Sequence, residues 1–254
     1  MKSRNPSMKD MYAYGSYAFV FGHPDDEMYA AAFIKSLVDA SKKVSLIYVT
    51  SGNYLADDIA VRRKQEVIKA ARLLGVGQND LYTLDYPEKG FKDVFDKARE
   101  ETERILQDLH IDCVVTHDFE GGHSVHDFTN LCSYLGSKRE GADFWVFPSY
   151  HNQPGNRVWN RFIEQRDDDF TLGLNNVQAE LKTKIFATHR TQRAFFEKLS
   201  PSDKDNMLKR EVFRRIDRDV DYATKPTSPI GYDFEGSPTK FSEFLDVIER
   251  LKTK

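Results

Sequence analysis

Five consecutive residues, His23-Pro24-Asp25-Asp26-Glu27, put one imidazole and three carboxylates into a single turn of chain. Like charges this close repel and raise one another's pKa. A helix N-terminus offsets part of that repulsion, and a divalent cation offsets more. His23 and Asp26 supply one nitrogen and one oxygen, a partial zinc ligand set. Asp25 then lies beside the metal, free to accept a proton. A plainer reading stands next to this one. The three acids also suit a charge-matched helix start, with Pro24 in its first turn and His23 as a turn residue.

A second cluster changes the balance. Residues 116–127 read Thr-His-Asp-Phe-Glu-Gly-Gly-His-Ser-Val-His-Asp and hold three of the seven histidines. His123 and His126 are three apart, the spacing that places two side chains on one helical face. His126 with His23 and Asp26 makes a three-ligand site, which leaves a fourth zinc position open to water. Such a metal lowers the pKa of its water to roughly 7. Asp25 is placed to take that proton and deliver it to a leaving amine. His123 is placed to stabilise an oxyanion or protonate the leaving group. Ferrous iron also accepts two histidines and a carboxylate.

Positioning these groups requires a rigid frame, and the flanking pattern supplies one. Apolar strand-like runs at 17–21, 44–50, 81–84, 111–116 and 144–148 alternate with helical stretches at about 26–40, 57–74, 91–109 and 126–135. That alternation predicts an α/β fold, Rossmann-like, with a mostly parallel sheet and helices on both faces. Ligands in such sheets bind beyond the carboxyl ends of the strands. His23–Glu27, Ser51-Gly52-Asn53 and His117–His126 all follow strands, so they share one rim.

After residue 149 the pattern weakens. Short strands are expected at 158–162 and 170–174, and a helix at 177–198 that carries His189. Residues 200–218 read as partly helical, 219–240 as Pro- and Gly-rich loop, and 241–251 as an amphipathic helix. A single domain over 1–254 is expected, with a core at about 16–195 and a less regular C-terminal extension at about 200–254 packed on it.

The bulk properties remove other classes. The chain has 254 residues and a formal net charge of −3, with no basic block of the kind that binds nucleic acid. No apolar run is long enough to span a membrane, and the polar first residues lack a signal peptide's apolar core. Cys113 and Cys132 alone cannot form a disulfide framework. A cytoplasmic protein with reduced thiols is expected; nothing fixes its oligomeric state.

The two histidine segments together resemble the PIG-L/LmbE-like metal-dependent de-N-acetylases. Thr50-Ser51-Gly52, Arg63-x-x-Glu66, Glu120-Gly121-Gly122-His123 and Ala187-Thr188-His189-Arg190-Thr191-Gln192 extend the resemblance over roughly residues 16–195. It implies a Rossmann-like fold, with His23, Asp26 and His126 as metal ligands, Asp25 as general base and His123 as the second catalytic histidine. It also implies a substrate or supporting role for Arg63, and it places His189 in a family motif as a candidate substrate contact. His117 ends a strand at the rim and suits either a substrate contact or a structural role. One departure stands out: many members carry Pro-Asp between the two histidines, where this chain has Ser124-Val125. That removes an orienting partner for an imidazole, which Asp118, Glu120 or Asp127 is expected to replace. The expected activity is zinc-dependent removal of an acetyl group from a small-molecule N-acetylated amino sugar or sugar conjugate. An amidase of the same mechanism acting on a non-sugar amide remains open. So does a sugar- or nucleotide-binding module without catalysis, although the first strand turn lacks Gly-x-Gly-x-x-Gly.

Overall fold

The structure is a computed structural model that describes residues 8–53, 57–235, 237 and 239–253. After a short helix α1 (Met8–Met11), strand β1 (Ser16–Phe21) is buried along its whole length. Its side chains alternate between two cores. Tyr17, Phe19 and Phe21 point to one, Ala18 and Val20 to the other. β2 (Lys43–Thr50) and β4 (Cys113–His117) flank β1 in parallel, β3 (Leu81–Tyr86) lies outside β2, and β5 (Asp143–Phe147) outside β4. The helices between them cover both faces. α2 (Ala31–Asp39) and α3 (Asp57–Leu74) close the first core through Ile34 and Leu74. α4 (Phe91–Leu109) and α5 (Ser124–Glu140) close the second through Phe95 and Phe128. Gly136 lets those two helices meet: a Cβ there would lie 2.7 Å from Leu106 Cδ1.

Several boundaries differ from the sequence reading. The expected helix at 26–40 is a 3-10 turn, Asp26–Tyr29, followed by α2. Asp25 has φ 135°, which breaks the helical path before it starts. The expected helix at 126–135 is longer at both ends. A strand expected at 158–162 is instead β7 (Asn156–Trp159), paired in a hairpin with β6 (Tyr150–Gln153). The expected helix at 177–198 divides into α6 (Asn176–Thr188), a 3-10 turn at Arg190–Gln192, and α7 (Arg193–Lys198).

The partly helical 200–218 stretch is half strand. After β8 (Phe170–Gly173) and α8 (Pro201–Lys209), β9 (Arg210–Arg215) pairs antiparallel with both β5 and β8. The seven-stranded order is β3-β2-β1-β4-β5-β9-β8, and α9 (Phe241–Lys252) packs Phe244 into the second core. No helix among the described residues is long and apolar enough to cross a membrane. The order of the parallel strands reverses between β1 and β4, so the crevice of the sheet opens where their two loops part.

Candidate metal centre and active site

That crevice brings the two sequence clusters together. His23 follows β1, and its Nδ1 lies 3.1 Å from His126 Nε2 on α5. Asp26 completes a triangle: Oδ2 is 3.4 Å from His23 Nδ1 and Oδ1 is 3.4 Å from His126 Nε2. Ligands about 2.1 Å from a tetrahedral zinc are themselves roughly 3.4 Å apart. The three side chains thus come together at distances compatible with one cation, each imidazole facing a different Asp26 oxygen. Asp26 is held in place by the His23 amide, which donates to Oδ2 at 2.6 Å.

Electrostatics point the same way. Burial pushes the His23 imidazole down, but Glu88 and Asp26 outweigh it and raise the group to about 10. The carboxylates thus hold a positive charge at this point, and a divalent cation is the alternative carrier of that charge. Burial and the neighbouring His117 hold His126 neutral, the form in which imidazole binds metal. Asp26 is kept well below the usual carboxylate range, against its burial, by His126 and His117. Two overlapping groups of donors meet here, His23 with His123 and His126, and Asp26 with His117 and His126. Nitrogen donors of this number suit zinc or ferrous iron rather than magnesium or calcium.

Asp25 stands at the edge of the triangle in a strained backbone conformation, of a kind that costs about 1–3 kcal/mol. Arg63 of α3 holds it there. Its Nη2 donates to Asp25 Oδ1 at 2.6 Å and to the Pro24 carbonyl at 2.7 Å, while Nη1 donates to the Gly52 carbonyl at 3.2 Å. Burial raises the Asp25 carboxyl to about 6, with Arg63 opposing and Asp26 adding to the rise. Such a group is ionised at pH 7 and still basic enough to take a proton.

His123 precedes α5 and caps it, Nδ1 accepting from the Val125 amide at 3.2 Å. The ring proton therefore sits on Nε2, which lies 3.3 Å from Glu88 Oε1. Burial lowers the His123 pKa. The approach to this loop is fixed by Gly122, where a Cβ would lie 1.8 Å from the Tyr150 carbonyl oxygen.

A polar cleft of about 120 Å³ opens onto these groups, lined by His23, Asp25, Asp26, Arg63, Glu88, His123 and His126, with Tyr150, Gln192 and Phe195 at its walls. Arg63 lines it. His117 and His189 do not line it, and both are 0% exposed. The substrate contact expected of them is not what the geometry offers. His117 accepts from the Gly22 amide at Nε2, at 3.1 Å, and meets Ser149 Oγ at Nδ1, at 2.6 Å. It stacks on His126 with ring centroids 3.9 Å apart, and its Nε2 is 3.2 Å from Asp26 Oδ2. His189 hydrogen-bonds Glu27, which also accepts from the Tyr48 hydroxyl at 3.0 Å. Within the His189–Gln192 segment it is Gln192 that reaches the cleft.

The expected replacements for the missing acid are engaged elsewhere. Asp127 accepts from the Gly121 amide and the Tyr232 hydroxyl. Glu120 accepts from the Ser149 and Tyr150 amides. Asp118 interacts with Arg214. Among the described residues, Glu88 is the carboxylate that touches the His123 ring. The sequence reading passed over it. The available signal was its place, two residues beyond β3, on the same rim as the other polar loops.

The comparisons with known proteins agree with this frame. Residues 18–134 match the family model PIG-L, described as GlcNAc-PI de-N-acetylase. A teicoplanin deacetylase, Orf2, solved in a zinc-inhibited form, aligns over 80% of this chain and 100% of its own, at 12% identity and TM-score 0.64. An N,N'-diacetylchitobiose deacetylase from Pyrococcus horikoshii, complexed with its inhibitor MPG, aligns over 82% of this chain and 86% of its own, at 19% identity and TM-score 0.60. GalB from Pseudomonas putida KT2440, a 4-carboxy-2-hydroxymuconate hydratase, aligns over 81% of this chain and 98% of its own, at 13% identity and TM-score 0.55. At these identities the likeness is one of fold, and that fold serves a hydratase as well as deacetylases. The family match spans residues 18–134, a little under half of the chain, and that stretch carries both histidine segments.

Proposed function

We propose that the protein is a metal-dependent hydrolase that removes the acetyl group from an N-acetylated amino sugar or sugar conjugate. The carrying observation is the convergence of His23, Asp26 and His126 within 3.4 Å of one another, with Asp25 beside them. Those three residues would hold zinc or ferrous iron. Such an ion supplies Lewis-acid polarisation of an amide carbonyl and an acidified water.

The chain's own groups do the rest. Arg63 occupies Asp25 Oδ1 and leaves Oδ2 to accept the proton of the attacking water. Asp25 then passes that proton to the departing amine nitrogen. His123, with its proton on Nε2 and facing Glu88 Oε1 at 3.3 Å before substrate binds, would turn that hydrogen bond to the carbonyl oxygen as it gains charge. Tyr150 and Phe195 flank the cleft with apolar ring surface suited to a sugar face. Trp145 and Trp159 are buried in the core and offer no ring face to the cleft.

Purified protein is incubated with a panel of N-acetylglucosamine conjugates and with acetylated amino acids, and acetate release is measured with and without chelator. Acetate from the sugar conjugates, abolished by chelator and restored by zinc or ferrous iron, supports the reading. Turnover of acetylated amino acids alone points to the non-sugar amidase. Absence of acetate from every substrate contradicts the reading, and the hydratase likeness then gains weight.

A further inference from the structure

We propose that Glu88 is a positioning residue whose Oε1 spans the Nε2 atoms of His123 and His23. From the loop after β3 it does what an acid between the two histidines would otherwise do. The proposal rests on the metal-site reading above for His23 and on the tautomer of His123 alone for the other contact.

The geometry leaves Glu88 little alternative. Its Oε1 lies 3.3 Å from His123 Nε2 and 3.6 Å from His23 Nε2. The two rings stand edge to face, 84° apart with centroids at 4.7 Å, so one oxygen in their angle faces both nitrogens. His123 Nδ1 is already occupied by the Val125 amide, which fixes the proton on Nε2. His23 Nδ1 is turned toward Asp26 and His126, so its Nε2 is the free end of the ring. A carboxylate behind a metal-binding imidazole fixes the ring's orientation and makes the other nitrogen a better ligand. Glu88 Oε2 is buried without a hydrogen-bond partner in the protein, so the Glu88 carboxylate keeps one oxygen in reserve at the cleft wall. Ser124-Val125 is thereby explained. The acid missing from the sequence between the histidines arrives from the loop after β3.

Three variants, Glu88→Gln, Glu88→Ala and Glu88→Asp, test this in the full-length chain. Zinc affinity is read by competition with a chelator. The hydrogen-bonded Nε2 proton of His123 is read by NMR on metal-free protein. Kinetic constants are read on whichever acetamido sugar the wild type turns over. The expected result is zinc binding at least tenfold weaker in Glu88→Ala and Glu88→Gln, with the His123 ring proton lost to fast exchange. The kcat falls at least tenfold in both while KM stays within about twofold, and Glu88→Asp recovers part of each. Zinc affinity and the ring proton unchanged in both variants overturn the proposal. So does a rise in KM at constant kcat, which assigns Glu88 to substrate instead. The deacetylase reading can fail separately: no acetamido turnover by wild type leaves the zinc and NMR arms to decide. If wild type binds no zinc, the ring proton alone decides. Glu88→Gln, isosteric with the native side chain, guards against loss of fold, checked by circular dichroism.

Discussion

Asp25 and Arg63 carry the sharpest residue-level consequences. Asp25→Asn keeps the shape and removes the proton acceptor. The expected outcome is a fall in kcat of about 10²–10⁴-fold with zinc content unchanged. Equal loss of bound zinc would mean that Asp25 is a ligand rather than a base. Arg63 is 3% exposed and bonds the carbonyls of Pro24 and Gly52 as well as Asp25. Arg63→Ala leaves a buried carboxylate unpaired and the strained turn unsupported. It should cost about 3–5 kcal/mol in denaturant unfolding. The cluster of His23, Asp25 and Asp26 was legible in the sequence because the crowding of charge in residues 23–27 is local. The burial of His117 and His189 was not. Their partners, Ser149 and Glu27, lie 32 and 162 residues away, and no local pattern encodes those bonds.

The elements divide in the same way. β1, β2, β4 and β5 could be read from apolar runs because parallel strands buried on both faces need unbroken β-branched and aromatic sequence. β9 could not, since Arg-Glu-Val-Phe-Arg-Arg looks like surface. Its charges are satisfied by distant partners. Arg214 bonds Asp169 at 2.6 and 2.9 Å. Glu211 accepts from the Ala32 and Phe33 amides at 2.8 Å each, and from Lys182 at 3.0 Å. It caps the N-terminus of α2, which has no side-chain cap of its own, so β9 fixes the helix that leads out of the His23–Glu27 turn. Glu211→Ala strands Lys182, itself 1% exposed, inside the protein. A loss of about 3–5 kcal/mol is expected by urea titration. A cost under about 1 kcal/mol would show that water replaces the carboxylate. Glu180→Ala, which breaks the exposed Glu180–Lys184 pair, should leave the midpoint where it is.

At the scale of the whole molecule, the irregular C-terminal extension clamps the histidine loop. The Gly231 amide donates to the Gly121 carbonyl at 2.7 Å, Ser228 donates to the Glu120 carbonyl, and the Tyr232 hydroxyl donates to Asp127 at 2.7 Å. A Pro- and Gly-rich stretch gives no periodic signal, so this clamp was invisible before the fold was known. Tyr232→Phe should cost about 1–2 kcal/mol, because it leaves buried Asp127 one donor short. On the proposed function, metal binding would link the site to global stability. Zinc at a hundredfold excess over its dissociation constant stabilises the folded chain by about 2.7 kcal/mol. For a chain of this length that is a rise in Tm of roughly 5–10 °C, reversed by chelator and absent in His126→Ala.

The direct test of the whole account is anomalous diffraction at the zinc edge from crystals grown with zinc. One peak within about 2.0–2.2 Å of His23 Nδ1, His126 Nε2 and an Asp26 oxygen is expected. A peak bound by Asp26, His117 and His126 with His23 free, or no peak in the crevice at all, would contradict it.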